Sequence, residues 1–321
     1  MAESQCAFIT GINGFVGIYL AEYLLSHGWS VSGIDRQEAA GCPGCDYVQG
    51  DILETADLAA ILAQCRPERI FHLAAVSIPA AVDQSPRQAL SVNIGGTVSV
   101  LEAVRTGAPS ARLLLVGSSK QYGDTQNSSP VSEEQICRPA DLYGISKYAG
   151  EMIGLQYAGQ FGMDIRIARS FNHSGPGQPP TFVCSDWARQ TAAIELGIAD
   201  PSIRVGDLSQ AIDFCHVGDV VRAYALILEK GISGTVYNIC SGTAVSLRSI
   251  LALTIAKSSR TITVVEDPSR IRKKTGSAAL VGDHSRISRD TGWEPVITIE
   301  KIIDDLYRYW MGILSSATNK K

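Results

Sequence analysis

The chain has 321 residues, 19% of them charged, and a formal net charge of −4. This length suffices for one large or two smaller domains with a hydrophobic core, and the slightly acidic balance excludes the basic field that attracts nucleic acid. No apolar stretch approaches the roughly 18 residues of a membrane span, and the first residues, MAESQ, lack the regions of a signal peptide. We therefore expect a cytoplasmic protein with a small-molecule partner and neither a nucleic-acid nor a membrane partner.

Eight cysteines are scattered along the chain, too sparsely for a small secreted domain held by disulfides. Cys42 and Cys45 have the spacing of half a zinc site or of a redox pair. No second CxxC or His-x-x-x-His pattern is present to complete four ligands, and the surrounding residues are typical of a surface loop. We predict reduced thiols and no metal site, and the role of this pair stays open.

Apolar, β-branched segments alternate with helical patterns through the first half of the chain. The predicted strands are residues 6–10, 30–35, 46–52, 69–75, 112–119 and 164–171, and the predicted helices are 15–27, 55–65, 87–106 and 142–161. This alternation is the signature of βαβ units. The sequence therefore predicts an α/β fold with a Rossmann-like, doubly wound parallel sheet.

The pattern changes after residue 172, where the turn-rich segment HSGPGQPP leads into shorter helices and strands. We predict a dinucleotide-binding domain at residues 1–172, to which residues 213–242 return. A smaller C-terminal α/β substrate lobe is predicted from residues 173–212 and 243–311, and residues 312–321 are predicted to be a tail.

Three spaced glycines, Gly11, Gly14 and Gly17, lie between the first predicted strand and the first predicted helix. Such glycines let the backbone approach a pyrophosphate, and the helix N-terminus offers free N–H groups. The alternative is a tight turn without a ligand. Asp35 closes the second predicted strand, where a carboxylate binds ribose hydroxyls, and this supports nucleotide binding.

The choice between NAD and NADP depends on two adjacent residues. Asp35 would repel the 2′-phosphate of NADP, whereas Arg36 could pair with it. The sequence favours NAD over NADP and leaves both open.

Tyr143 and Lys147 lie four residues apart in a predicted helix and therefore share one face. A nearby ammonium favours the phenolate, so we expect Lys147 to lower the pKa of Tyr143 toward neutrality, as a general acid or base requires. The alternative is an ordinary exposed pair on a helix. The hydroxyl of Ser118, at the end of the fifth predicted strand, favours the catalytic interpretation.

Taken together, the glycine triplet, HLAA at 72–75, Asn93, Ser118, Tyr143 and Lys147 resemble the extended short-chain dehydrogenase/reductase family, whose members act on nucleotide-activated sugars. Four further segments are similar to its branch of GDP-mannose 4,6-dehydratases and GDP-6-deoxy-4-keto-mannose reductases. They are RSFNHSGPGQ (169–178), FVCSDWARQ (182–190), RVGDL (204–208) and DFCHVGDVVRAY (213–224).

The resemblance implies that Ser118, Tyr143 and Lys147 are catalytic, and that the last two also contact the cofactor. The remaining candidates for NAD or NADP binding are Gly11, Asn13, Gly14, Phe15, Val16, Gly17, Asp35, Arg36, Asp51, Ile52, Leu73, Ala74, Ala75, Asn93 and His173. The candidates for binding a GDP-linked sugar are Ser119, Lys120, Asn172, Val183, Trp187, Arg204, Val205 and Arg272. The family often forms homodimers through two helices of each subunit, which correspond to 87–106 and 142–161 here.

Lys120 departs from the dehydratases that resemble this chain, in which a glutamate at this position removes a proton from carbon 5. A lysine ammonium cannot accept a proton, so elimination of water is not expected. The sequence instead favours reduction of the 4-keto group of a GDP-4-keto-6-deoxyhexose by NAD(P)H. Alternatives are a 4-epimerase or an atypical dehydratase with retained NAD(P), and an inactive protein that senses the cofactor.

Ile212 is a second departure, because the branch usually has an arginine there that meets the diphosphate. Arg272, in the segment PSRIRKK at 268–274, is the expected replacement. The sugar and the product stereochemistry stay open.

Overall fold

The computed structural model describes residues 5–38, 41–124, 130–270 and 279–318. Arg272 and the last three residues of the predicted tail lie outside the described residues. Within the described ranges, no helix is both long enough and apolar enough to cross a bilayer.

A seven-stranded parallel sheet forms the centre of the molecule. Its strands are β1 (Cys6–Thr10), β2 (Ser30–Asp35), β3 (Asp46–Gln49), β4 (Arg69–His72), β5 (Arg112–Ser118), β6 (Ile165–Ser170) and β10 (Val236–Ile239). They lie in the order β10–β6–β5–β4–β1–β2–β3, and every neighbouring pair is parallel. The predicted α/β fold is confirmed.

Eleven α-helices are present in the described part of the chain, and those of the first half cover both faces of this sheet. They are α1 (Phe15–Ser26), α2 (Thr55–Cys65), α3 (Pro79–Gln84), α4 (Pro86–Leu90), α5 (Gly96–Gly107), α6 (Leu142–Phe161), α7 (Val183–Glu195), α8 (Val217–Lys230), α9 (Leu247–Ile255), α10 (Ser285–Thr291) and α11 (Ile299–Thr318). The predicted helix at 87–106 is interrupted, because a wider π-helical turn at Ser91–Gly95 separates α4 from α5.

The central strands are buried on both faces, as expected for a parallel sheet between helices. Successive side chains of β1 point to opposite faces. Ile9 packs in the cluster that contains Leu20 of α1 and Val220 of α8. Phe8 packs in the cluster that contains Leu62 of α2 and Val104 of α5.

A smaller lobe adds two short sheets. Strand β9 (Ala211–His216) pairs with β7 (Asn172–Ser174), β11 (Ala244–Ser246) and β13 (Ala279–Leu280), whereas β8 (Ser202–Val205) pairs with β12 (Thr263–Glu266). Side chains of α7, α9 and α11 form the core of this lobe. Within residues 213–242, β9 belongs to the small sheet, α8 packs with α1 in the cluster on one face of the central sheet, and β10 joins the central sheet. The domain division itself stays a prediction.

Asp213 lies on β9 at the junction of the two parts and is fully buried. Its carboxylate accepts hydrogen bonds from the backbone N–H groups of Ser241 (2.7 Å), Gly242 (3.1 Å) and Gly282 (3.2 Å). The Ser241 hydroxyl donates a fourth, at 2.6 Å. One carboxylate therefore connects β9, the loop after β10 and the segment after β13.

Cys42 is buried and Cys45 is half-buried, and both are free thiols. Burial raises the pKa of Cys45 to about 12. Across the ranges that the structure describes, no three His, Cys, Asp or Glu side chains are grouped so that they could hold a metal ion.

Candidate active site

The carboxyl ends of β4, β5 and β6 meet at one edge of the sheet, where Ser118 ends β5. A short 3₁₀ turn, Ser119–Tyr122, follows at once. The Ser118 Oγ accepts the backbone N–H of Lys120 at 3.2 Å. Because the hydroxyl oxygen accepts this bond, its hydrogen is free to point elsewhere.

Helix α6 carries the other two catalytic candidates to the same place. It begins after Asp141, whose carboxylate accepts the N–H of Gly144 at 2.7 Å and caps the helix. Tyr143 therefore lies in the first turn, within hydrogen-bonding reach of the Ser118 side chain. Lys147 lies one turn further on, and its Nζ donates to the carbonyl of Val116 on β5 at 2.9 Å.

Burial dominates the protonation of this pair. It raises the pKa of Tyr143 to about 12, against the hydrogen bond with Ser118, which lowers it. Burial also lowers the pKa of Lys147 to about 8. The expectation that Lys147 lowers the pKa of Tyr143 toward neutrality is wrong, because desolvation of the phenol outweighs any attraction between the ammonium and a phenolate. Tyr143 holds its proton at neutral pH.

The glycine turn packs so closely that side chains are excluded. Gly11 has φ +73°, and a Cβ added there would lie 2.9 Å from the Ala74 backbone. A Cβ at Gly17 would lie 2.3 Å from the Gly11 carbonyl oxygen. Helix α1 can therefore start directly against β1 with its free N–H groups at the sheet edge, which fits a dinucleotide pyrophosphate.

Asp35 and a neighbouring cavity provide a place for the adenosine half of a cofactor. The Asp35 carboxylate accepts the backbone N–H groups of Asn13 (3.2 Å) and Arg36 (2.7 Å). The cavity, of about 550 Å³, is lined by Arg36, Asp51, Leu53, Ser85, Pro86, Arg87, Gln88, Ser91 and Val92. Ile52, beside Asp51, is buried. Arg87 was not singled out from the sequence, because nothing before folding places α4 next to Asp51.

Phe15, at the start of α1, lies beside His173 of β7. Their rings are nearly parallel, with centroids 6.4 Å apart, and His173 Nδ1 is 2.9 Å from the Phe171 carbonyl. The other cofactor candidates Val16, Leu73, Ala74 and Ala75 are half-buried.

Two buried residues at this edge, Asn93 and His72, form hydrogen bonds with other groups of the protein. The amide of Asn93 accepts from the Val76 N–H (2.8 Å) and donates to Ser146 Oγ (3.0 Å), so it fixes the loop after β4 against α6. His72 lies between Thr10 (2.8 Å) and Thr97 (3.2 Å), and burial lowers its pKa to about 3. His72 is a neutral packing residue.

The candidates for substrate contact fall into two groups. Lys120, Asn172 and Arg204 are exposed, and Val183 is half-buried. Ser119 is buried beside Ser118, whereas Trp187 and Val205 pack in the core of the smaller lobe. The Trp187 and Val205 side chains present at most 3% of their surfaces, so a contact of these two residues with the nucleotide would have to involve their backbone groups and stays a prediction.

The side chain of Ile212 is half-buried and packs against the core of the smaller lobe. Arg270, in the segment PSRIRKK, is engaged by Asp186 at 2.5 Å and by Asp267 at 3.7 Å. Arg272, the replacement expected from the sequence, lies outside the described residues.

Comparison with known proteins agrees with this geometry. Residues 8–306 match the family described as GDP-mannose 4,6 dehydratase. GDP-6-deoxy-D-mannose reductase from Pseudomonas aeruginosa is 32% identical over 310 residues, which cover 96% of this chain and 97% of that protein. UDP-glucose 4-epimerase from Mycolicibacterium smegmatis is 30% identical over 302 residues, covering 91% and 94%.

A solved structure described as RMD from Pseudomonas aeruginosa complexed with NADPH matches with a TM-score of 0.84 and 31% identity. The match covers 97% of this chain and 100% of that chain. The fold, the site at the sheet edge and the family match over nearly the whole length lead to one conclusion: this chain belongs to the GDP-mannose 4,6-dehydratase family.

Proposed function

We propose that this protein uses NAD(P)H to reduce the 4-keto group of a GDP-linked 4-keto-6-deoxyhexose. The observation that carries the proposal is the contact between Ser118 and a protonated Tyr143 at the end of β5, with the exposed Lys120 two residues after Ser118. A ketone reductase needs a proton donor at this point. A dehydratase needs, in addition, a base that removes a carbon-bound proton, and Lys120 supplies none.

Tyr143 is the proton donor in this mechanism. A nicotinamide held at this edge would supply the hydride for carbon 4. As the carbonyl oxygen gains negative charge, the phenol transfers its proton to that oxygen, so the C=O group becomes CH–OH and Tyr143 becomes a phenolate that solvent reprotonates. The Ser118 hydroxyl donates a hydrogen bond to the same oxygen and stabilises the developing charge.

Lys147 and the glycine turn hold the cofactor for this step. Lys147 Nζ donates to the Val116 carbonyl on β5, and its other N–H groups would hold the ribose of a nicotinamide nucleotide. The turn formed by Gly11, Gly14 and Gly17 would let the backbone approach the pyrophosphate, and the Asp35 carboxylate would accept hydrogen bonds from the adenosine ribose. Asn172 and Lys120, both exposed near this edge, are the side chains proposed to meet the sugar nucleotide.

The test is turnover with defined nucleotide sugars. Purified protein is incubated with GDP-4-keto-6-deoxymannose and, separately, with GDP-mannose, while NADH or NADPH absorbance and the sugar products are followed. We expect cofactor oxidation and a GDP-6-deoxyhexose with the keto sugar, and no keto product from GDP-mannose. Formation of GDP-4-keto-6-deoxymannose from GDP-mannose would reject the reductase assignment.

Both nicotinamide cofactors are proposed to bind. The carboxylate of Asp35 is engaged by backbone N–H groups, and the adjoining cavity contains the guanidinium groups of Arg36 and Arg87. These two cations would offset the repulsion between Asp35 and a 2′-phosphate. We therefore propose that NADPH is accepted as well as NADH.

A 4-epimerase is the second candidate, because the epimerase relative is 30% identical and an epimerase would use the same serine, tyrosine and lysine. An epimerase oxidises and re-reduces carbon 4 in one cycle, so it needs no net supply of reduced cofactor. Interconversion of UDP-glucose and UDP-galactose without added NAD(P)H, by protein that retains cofactor through purification, would favour this function.

A homodimer is proposed through α5 and α6. Ile145 and Met152 lie two turns apart on one face of α6 and expose 44% and 49% of their surfaces. An exposed apolar stripe of this kind suits a partner helix. Light scattering in solution should give twice the mass of one chain, and the mass of one chain would reject the dimer.

A further inference from the structure

A buried hydrogen-bonded chain runs behind the strand end that carries Ser118. We infer that Gln121 is a positioning residue that fixes Ser118 for the reaction, and that Glu151 and Arg169 hold Gln121 in place. The inference rests on the proposed function, because it concerns how the serine reaches the oxygen at carbon 4. None of these three side chains was singled out from the sequence.

The first link joins Gln121 to the serine itself. The carbonyl Oε1 of Gln121 accepts the backbone N–H of Ser118 at 2.7 Å, while Ser118 Oγ accepts the N–H of Lys120. These two hydrogen bonds cap the start of the 3₁₀ turn, one through the side chain of Gln121 and one through the side chain of Ser118. They set the serine backbone and direct the hydroxyl hydrogen away from the turn, toward Tyr143.

The second link fixes the orientation of the Gln121 amide. Its Nε2 donates to Glu151 Oε2 at 2.7 Å, so the carbonyl must face Ser118. Glu151 follows Tyr143 and Lys147 at the same spacing along α6, at i+8 after i and i+4. One face of a single helix therefore carries the proton donor, the cofactor-holding lysine and the carboxylate that orients the turn.

The third link balances the buried charge. Arg169 on β6 donates to both oxygens of Glu151, at 2.9 Å from Nε and 2.6 Å from Nη2. The two side chains expose only 6% and 2% of their surfaces, and Gln121 exposes none. A fully paired network in a low-dielectric interior is rigid, because every alternative leaves a polar group without a partner.

Gly117 supplies independent support. A Cβ at this position would lie 2.3 Å from the Oε1 of Gln121. The Gln121 amide therefore occupies the space that a side chain at position 117 would take. The glycine at this position, immediately before Ser118, leaves room for the amide. The lack of a side chain at Gly117 and the hydrogen bond from Ser118 N–H both place the Gln121 amide at the same position.

The test is a double-mutant cycle between Gln121 and Ser118. Gln121→Met keeps the length of the side chain and removes both hydrogen bonds. We expect kcat to fall by about tenfold to a hundredfold, as for a small misplacement of a catalytic group, while KM for NAD(P)H stays constant. In a Ser118→Ala background the same change should cost almost nothing, because no hydroxyl remains to be positioned.

Gly117→Ala is a second variant that removes no polar group. Its Cβ displaces the Gln121 carbonyl, so we expect the same fall in kcat. Gln156→Met is the matched control, since Gln156 is exposed on α6 and its amide donates a hydrogen bond to Gln160. It should leave kcat and KM at wild-type values.

Hydrogen exchange separates failure of the inference from failure of the proposed function. In protein without substrate, exchange of residues 113–122 should accelerate in Gln121→Met and Gly117→Ala and stay unchanged in Gln156→Met. Unchanged exchange, or equal losses of kcat with and without the Ser118 hydroxyl, would overturn the positioning role. Accelerated exchange in a protein that reduces no keto sugar would count against the proposed function alone.

Discussion

At the scale of single residues, the state of one proton decides which reactions the site can perform. Tyr143 is half-buried, desolvation raises its pKa to about 12, and its hydroxyl is within hydrogen-bonding reach of Ser118. A phenol that holds its proton can donate it to a developing alkoxide, and it cannot take a proton from carbon until it has been deprotonated. The exposed ammonium of Lys120 adds no base, so the side chains at the end of β5 favour reduction over elimination.

Replacing Tyr143 with phenylalanine tests this role. The ring is retained and the proton donor is lost, so kcat should fall by about 10²–10⁴-fold while cofactor affinity is unchanged. Steady-state kinetics and a fluorescence titration with NADPH measure the two quantities. Tyr148→Phe, on the same helix, is the control and should be near wild type. Undiminished turnover in Tyr143→Phe would refute the assignment.

Arg87→Ala tests the proposed contact with the 2′-phosphate. A charge-assisted hydrogen bond contributes about 1.5–3 kcal/mol, so KM for NADPH should rise about tenfold or more, whereas KM for NADH should stay constant. Arg308→Ala is the control, because Arg308 is exposed on α11 and pairs with Asp304. An equal change in KM for NADPH and for NADH would show that Arg87 does not bind the 2′-phosphate.

At the scale of secondary-structure elements, the cofactor site depends on how closely α1 approaches β1. Gly17 permits this approach, because a Cβ there would lie 2.3 Å from the carbonyl oxygen of Gly11 and 2.6 Å from that of Ile12. Both atoms belong to the backbone and cannot move without displacing the helix. The pyrophosphate-binding N–H groups at the start of α1 would move with it.

Gly17→Ala should therefore weaken cofactor binding tenfold or more and lower the free energy of unfolding by about 1–3 kcal/mol, the usual cost of overpacking. Gly159→Ala is the control, since no atom lies within 4 Å of a Cβ at this exposed position on α6. It should stabilise the helix by about 0.5–1 kcal/mol. Urea unfolding and cofactor titration provide both measurements; a Gly17→Ala protein with normal affinity would contradict the argument.

These elements also show which features of the structure could be predicted from the sequence alone. Strand and helix positions followed from apolar periodicity, and the strand-to-helix turn followed from spaced glycines, since both are local patterns. The π-helical turn at Asn93 and the Gln121 amide did not, because each depends on partners far along the chain, Ser146 and Glu151. The raised pKa of Tyr143 was missed for a related reason: burial is a property of the assembled fold.

At the scale of the whole molecule, buried neutral histidines make stability depend on pH. The pKa of His72 is lowered to about 3, and burial lowers the pKa values of His173 and His216 as well. Below pH 6.5 these histidines are protonated in the unfolded chain but stay neutral in the native protein. The free energy of unfolding therefore falls as pH falls. The loss should run from about pH 6.5 down to the folded pKa.

His72 alone should cost about 2 kcal/mol between pH 7 and pH 5, because each pKa unit corresponds to about 1.4 kcal/mol. Urea unfolding at the two pH values measures the loss. His72→Gln keeps a polar side chain between Thr10 and Thr97 but does not titrate, so its stability should change less over this interval. Equal losses in the two proteins would exclude His72 as a source of the pH dependence.

Asp213 has a consequence for recombination between relatives. Its four hydrogen bonds reach residues 241, 242 and 282, so three stretches of chain share one buried acid. A chimera that exchanges the smaller lobe, which is proposed to bind the sugar, must inherit all three stretches from the same parent. A crossover point anywhere between residues 213 and 282 would break up that set, whereas a crossover in the exposed turn near Gly177 would leave it whole.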